Sequence, residues 1–250
     1  MNITPVVKQL LIINVIFFIG SQFVLDAEIA RSFFALHYFE NPIFKIWQPL
    51  THMFMHGGIG HIFFNMFALY SFGSALEHFW GGKKFLFFYI SCGLGAALLH
   101  TLVNYLQIHI PSQAILEAGF SQKDIDLFLE TGNYNKIKDV VSMSTLESMY
   151  YGFKIPAVGA SGAIYGLLTA FAFMYPNAQL GIMFIPIPIK AKYFVPGILT
   201  IDLILGLRGS SIFGAGSTGI AHFAHIGGAI TGFIMMWYWK KNQFDKNRWN

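Results

Sequence analysis

The chain has 250 residues, of which 55% are hydrophobic and only 11% charged, whereas soluble domains carry about 25% charged residues. Its net charge of +4 does not signal nucleic acid, because Lys and Arg gather at the ends of apolar runs rather than in a patch with interleaved aromatics. Cys92 is the single cysteine, which excludes a disulfide framework and a CxxC metal site. An integral membrane protein of one domain, residues 1–250, is the expectation.

A membrane-crossing helix needs about 20 mainly apolar residues, and six segments qualify: 8–25, 58–79, 84–106, 159–176, 193–208 and 220–239. The first follows Lys8 and lacks a small-residue cleavage site, so it reads as a retained anchor rather than a signal peptide. With the amino terminus in the cytoplasm, Lys8, Lys83, Lys84, Lys190, Lys192, Lys240, Lys241, Lys246 and Arg248 fall on that side. Arg31, Lys45, Lys123, Lys136, Lys138, Lys154 and Arg208 fall on the other, four of them in one long loop. Both termini are then cytoplasmic, with 240–250 as a tail.

Residues 26–57 are too rich in Phe33, Phe34, Phe39, Phe44 and Trp47 for a solvated loop and suit the membrane interface. Residues 107–158, between the third and fourth segments, carry Glu117, Asp124, Asp126, Glu130, Asp139 and Glu147 and read as an outer loop insertion of short amphipathic helices. Residues 206–219 hold five glycines and read as a movable segment before the sixth helix.

Two motifs lie inside apolar runs. Ser161 stands between Gly159 and Gly162, and His225 is followed at i+3 and i+7 by Gly228 and Gly232 on its own helix face. A serine hydroxyl becomes a nucleophile only with a base in hydrogen-bond reach. Gly162 and Gly166 offer a groove complementary to Gly228 and Gly232, so the fourth and sixth helices can approach until Ser161 meets His225. A surface built only for small-residue packing is the bland alternative for these glycines. The soluble-hydrolase GxSxG elbow fails at Ala163.

Tyr165, one turn from Ser161 on the same face, is placed to stack under the imidazole or to hold it by hydrogen bonding. With no carboxylate nearby in sequence, a Ser-His dyad is the simpler reading. On the second helix His61 and Asn65 stand at i and i+4, where two donors could hold an oxyanion together with the Ser161 N–H. His52 and His56 read as structural hydrogen-bonding groups. A zinc site is the rival, but HExxH is absent and no carboxylate neighbours these histidines at a ligand-like spacing, so no metal and no cofactor is expected.

These pieces together, HxxxN at His61 and Asn65, GxSG at Gly159 to Gly162 with Tyr165, and HxxGxxxG at His225 to Gly232, resemble the rhomboid intramembrane serine proteases across nearly the whole chain. The resemblance implies an all-α integral membrane bundle of six transmembrane helices with a water-filled cavity. It implies Ser161 as nucleophile, His225 as general base, Tyr165 packed on that histidine, and His61 with Asn65 as oxyanion donors. Transmembrane proteins are the implied substrates, cut near the outer face, and a bacterial cytoplasmic (inner) membrane is the implied setting. Glu77 is similar to a helix-tying glutamate of the family, and the fifth helix with the glycine-rich segment to its lateral gate and cap. Many members have Trp-Arg where this chain has Trp47-Gln48, so the anchoring of the first outer loop is expected to differ.

A transporter would be expected to show internal repeats or paired broken helices. Aspartyl proteolysis needs two midhelix carboxylates, and Asp202 is one. A catalytically inactive rhomboid-like factor that binds membrane proteins is the remaining alternative; such relatives lose the serine or the histidine, and this chain keeps both.

Overall fold

A computed structural model describes residues 2–182, 185–208 and 220–243. Most of the chain is helical. Three helical stretches are long and apolar enough to cross a membrane: Pro5–Val24, Ile59–Trp80 and Gly82–Glu117. Each of the first two contains one π turn. Helix α1 (Pro5–Ile19) continues into Gly20–Val24, and α4 (Ile59–Ala68) passes through Leu69–Gly73 into α5 (Ser74–Trp80).

Proline at the first position suits the start of α1, and the carboxylate of Glu77 caps it from another helix. Glu77 accepts from Thr4 Oγ1 at 2.5 Å, from the Val6 N–H at 2.9 Å and from the Val7 N–H at 2.8 Å. A buried carboxylate thereby meets the donors that the helix terminus leaves open, and the first span is tied to the second.

Between these spans lie α2 (Ala27–Phe34), capped by Asp26, and the short α3 (Gln48–Thr51), which runs into a 3-10 turn, His52–Phe54. The aromatic side chains of this stretch pack on one another, Phe33 edge-on to Phe34 and against Trp47, whose indole N–H donates to the Phe33 carbonyl at 2.9 Å. The loop is firmly anchored without the arginine. Gln48 is fully buried; its amide nitrogen donates to the carbonyls of Ser32 (2.9 Å) and Ile43 (3.2 Å), and its oxygen accepts from the His37 N–H (3.2 Å).

The third span was expected to stop at 106, but α6 (Gly82–Glu117) runs on for 36 residues. At 1.5 Å per residue that is about 54 Å, well beyond the ~30 Å hydrocarbon core. Pro111 does not end it, and Ser112 Oγ donates to the Ile108 carbonyl one turn back. Residues 107–158 are therefore not simply a loop. They comprise the end of α6, then α7 (Gln122–Thr131), opened by a Ser121–Asp124 capping box and closed at left-handed Gly132, and α8 (Met143–Lys154). A separate core joins these elements, including Ile108, Ile115, Ile125, Phe128, Leu146 and Met149, with Tyr38 from the preceding segment.

After α9 (Ser161–Met174) an antiparallel hairpin, β1 (Gln179–Ile182) and β2 (Ile185–Lys190), pairs Gln179 with Lys190 and Leu180 with Ile189. The all-α expectation is corrected to that extent. Helices α10 (Ala191–Arg208) and α11 (Ile220–Gln243) follow. The main core lies among α1, the α4–α5 stretch, α6, α9, α10 and α11, with Phe85, Phe88, Tyr89, Leu167 and Val195 in it. Of the expected movable segment 206–219, residues 209–219 lie outside the described residues, as do 244–250 of the expected tail.

Candidate active site

Small residues set the site by letting three helices meet at backbone distance. A Cβ built on Gly228 of α11 would lie 2.7 Å from the carbonyl carbon of Gly162 on α9, with the carbonyl oxygen nearer still. One on Gly232 would lie 2.8 Å from the Gly166 carbonyl oxygen. Helix α6 closes the third side: a Cβ on Gly166 would stand 2.6 Å from Cys92 Cβ, and one on Gly227 2.7 Å from the Gly95 carbonyl oxygen. The four glycines Gly162, Gly166, Gly228 and Gly232 thus form one seam.

At one end of that seam Ser161 opens α9. The chain arrives through Gly159, whose φ of 125° suits a residue without a side chain. The Gly159 N–H donates to the His52 carbonyl at 2.9 Å. Ser161 Oγ lies 3.0 Å from His225 Nε2, and the ring of Tyr165 stacks flat on the imidazole, with centroids 4.2 Å apart and planes 8° from parallel. Ser161, His225 and Tyr165 are thus one contact group.

His61 faces the same end. A Cβ on Gly159 would meet its ring at 2.8 Å from Nε2, and its Nδ1 accepts from the Gly57 N–H at 3.4 Å, which leaves the proton on Nε2, toward Gly159. Asn65, one turn along α4, is buried, and His56 stands edge-on to His61 with centroids 5.0 Å apart. His52 and His56 lie outside the spans, and burial pushes them down to about 4 and about 3, so both are neutral near pH 7. The His52 ring accounts for one nitrogen, Nδ1 at 3.1 Å from the Gln48 carbonyl.

One member of the group stands out in the sequence only as a lone midhelix carboxylate, with nothing to join it to the histidine. Asp202, on α10, places Oδ1 3.3 Å from His225 Nδ1 and within hydrogen-bond contact of His222 Nδ1. It is 23 positions from His225 on another helix, so spacing within one helix does not reveal it; its only sequence signal is a carboxylate in an apolar run. These three side chains bring potential ligand atoms within 4.8 Å of one another and are, among the described residues, the one set that could hold a metal ion.

Known proteins resemble this chain over much of its length. The family described as Rhomboid domain matches residues 44–122 and 134–242. The Rhomboid protease GluP of Bacillus subtilis (strain 168) is 26% identical over 165 residues, 64% of this chain and 30% of its own length. The Presenilin-associated rhomboid-like protein, mitochondrial, of Bos taurus is 26% identical over 207 residues (81% and 41%), and RHOMBOID-like protein 12, mitochondrial, of Arabidopsis thaliana 27% over 200 (80% and 48%). The chain spans less than half the length of each of these relatives.

The expected bacterial cytoplasmic membrane, with both termini in the cytoplasm, is corrected by these matches. The relatives named as mitochondrial align over 75% to 81% of this chain, a larger share than the bacterial protease, and point away from a bacterial inner membrane. Loop charge bears on which side of a membrane a loop faces and carries nothing about which membrane it is. With the seam, the serine–histidine contact and the match over most of the sequence taken together, the chain belongs to the rhomboid family.

Proposed function

We propose that this chain is an intramembrane serine endopeptidase that cuts transmembrane helices of other membrane proteins. The single observation that carries this reading is the 3.0 Å contact between Ser161 Oγ and His225 Nε2, beneath a stacked tyrosine and at the N-terminus of a buried helix. Six spans in one membrane domain, 1–250, with 107–158 as an appended outer element, is the architecture that goes with it; α9, α10 and α11 supply the three spans beyond those evident from length and composition.

In this reading His225 Nε2 takes the Ser161 proton as Oγ attacks the scissile carbonyl. The tetrahedral oxyanion falls at the start of α9, where the first N–H groups have no partner within the helix and the helix dipole is positive. The His61 Nε2–H and the Asn65 side chain are the further donors. The imidazolium then gives its proton to the leaving amine, and a water repeats the sequence on the acyl-enzyme to free Ser161. Gly159, Gly162, Gly228 and Gly232 contribute only close packing, and no step requires a metal or cofactor.

Because a substrate helix satisfies its own backbone, the scissile bond is reached only where that helix unwinds. The test is Ser161→Ala in purified protein with a transmembrane substrate and a fluorophosphonate probe. Cleavage and labelling should both vanish while the thermal melt stays that of the parent. Residual cleavage at a parent-like rate would remove Ser161 from the mechanism, and a parent that neither cuts nor labels would favour the membrane-protein-binding alternative.

A further inference from the structure

We propose that Asp202 is a positioning residue for the reaction, holding the proton of His225 on Nδ1 so that Nε2 is left bare to receive the proton of Ser161. The inference rests on the reading of Ser161 and His225 as the reacting pair and adds a third helix to their machinery.

Asp202 is 95% buried, on α10 within an apolar run, where a lone carboxylate is costly. Among the described residues its ion pairs are with two imidazoles and with no lysine or arginine. Both imidazoles present the same atom, Nδ1, to the same carboxylate oxygen. An ionised carboxylate only accepts, so an imidazole nitrogen facing it at hydrogen-bond distance is the protonated one. For neutral His225 this fixes the tautomer: the proton sits on Nδ1 and the lone pair on Nε2, 3.0 Å from Ser161 Oγ.

The free imidazole has no such constraint, and a histidine held only by the Tyr165 stack would be free to carry its proton on Nε2, where it could not act as base. When Nε2 takes the serine proton, the Nδ1 proton stays in place, and the resulting imidazolium faces a carboxylate that remains ionised. Tyr165 holds the imidazole by its face, while the carboxylate of Asp202 holds it by its Nδ1 edge. His222 shares the carboxylate oxygen and steadies it from the preceding turn of α11.

The experiment uses the full chain in detergent micelles with isotope-labelled histidine. Proton–nitrogen NMR reads the tautomer of each imidazole, and His225 is assigned by its loss in His225→Ala. The parent should show His225 protonated on Nδ1. Asp202→Ala should move that proton to Nε2 and lower kcat for a transmembrane substrate by about 10³ or more, with little change in KM. His222→Ala should keep the His225 tautomer and lose less activity.

A parent His225 protonated on Nε2 would overturn the proposal even if Asp202→Ala did not fold. So would an Asp202→Ala protein that keeps Nδ1–H and parent turnover, or a His222→Ala protein in which His225 loses its Nδ1 proton. Absence of fluorophosphonate labelling in the parent would instead overturn the serine reading, and it is seen independently of the imidazole spectrum.

Discussion

Replacing Gly228 by alanine tests whether the seam between α9 and α11 sets the reactive geometry. The added Cβ would stand 2.7 Å from the carbonyl carbon and 3.3 Å from the Cα of Gly162, with the carbonyl oxygen closer than either. These are backbone atoms and cannot swing aside as a side chain would. Carbon–carbon contacts become comfortable near 3.5 Å, so the helices must separate by at least about 1 Å. Gly228 lies one turn from His225 and Gly162 directly follows Ser161, so that separation stretches the 3.0 Å contact beyond hydrogen-bond reach. A misplacement of about 1 Å lowers the rate on the order of 10²-fold, and overpacking costs about 1–3 kcal/mol of stability.

Initial cleavage rates and fluorophosphonate labelling rates, normalised to folded protein by a thermal melt, measure both effects. Gly197→Ala on α10 is the control, because a Cβ there meets nothing within 4 Å; it should leave the rate alone and raise the melt slightly. A Gly228→Ala protein with the parent's rate and the parent's melt would refute the argument that backbone contact sets the site.

His61→Ala should lower kcat by about 10² with little change in KM, as expected of a lost oxyanion donor, and steady-state kinetics on a transmembrane substrate checks the split. Glu77→Ala strips the acceptor from Thr4 Oγ1 and from the N–H groups of Val6 and Val7, and should cost about 3 kcal/mol in the thermal or denaturant transition. Activity per folded molecule should hold, since Glu77 lies about 24 Å along the helical stretch from His61. Gln48→Ala frees two carbonyls and the His37 N–H, and should cost about 2 kcal/mol and speed proteolysis within residues 31–47. Asp124, outside the spans, is held down to about 2 by hydrogen bonds from Lys136 and Ser121. Its support of the α7 capping box is therefore complete above the ordinary carboxylate range and is lost as pH falls from about 4 toward 2; faster amide exchange in the first turn of α7 over that interval is the measurement, and unchanged exchange would remove the box from its stability.

The sequence exposes what periodicity and small-residue spacing encode. His225, Gly228 and Gly232 share a face whatever the surroundings, and Ser161, Gly162, Tyr165 and Gly166 fall at matching intervals on their own helix, so the contact between α9 and α11 is legible in the spacing alone. The place of Asp202 was not, because which residue of α10 faces α11 is decided by how two helices of uniformly apolar composition rotate against each other. Nor was the length of α6: charge and polarity rise after residue 106, and Pro111 reads as a stop, yet the helix continues because Ile108, Ile115 and their neighbours bury themselves against α7 and α8. The hairpin after α9 hides in Ile185–Lys190, where alternating prolines argue against a strand. The anchoring of the first outer loop does differ from a guanidinium's, because the buried carboxamide of Gln48 offers a donor and an acceptor at once, a pairing that only the fold around it reveals.

Bilayers differ by several ångströms in hydrocarbon thickness, and membrane proteins answer by tilting or sliding their helices. Helices that interlock through long side chains can slide as rotamers change. The glycine seam has no such slack, for α9 and α11 meet main chain on main chain, so the two helices must shift together or not at all. Adjustment to a thicker or thinner membrane then falls to the periphery, where α4 turns Phe63, Phe64 and Phe67 outward. The distance between serine and histidine is in this way insulated from the lipid around it.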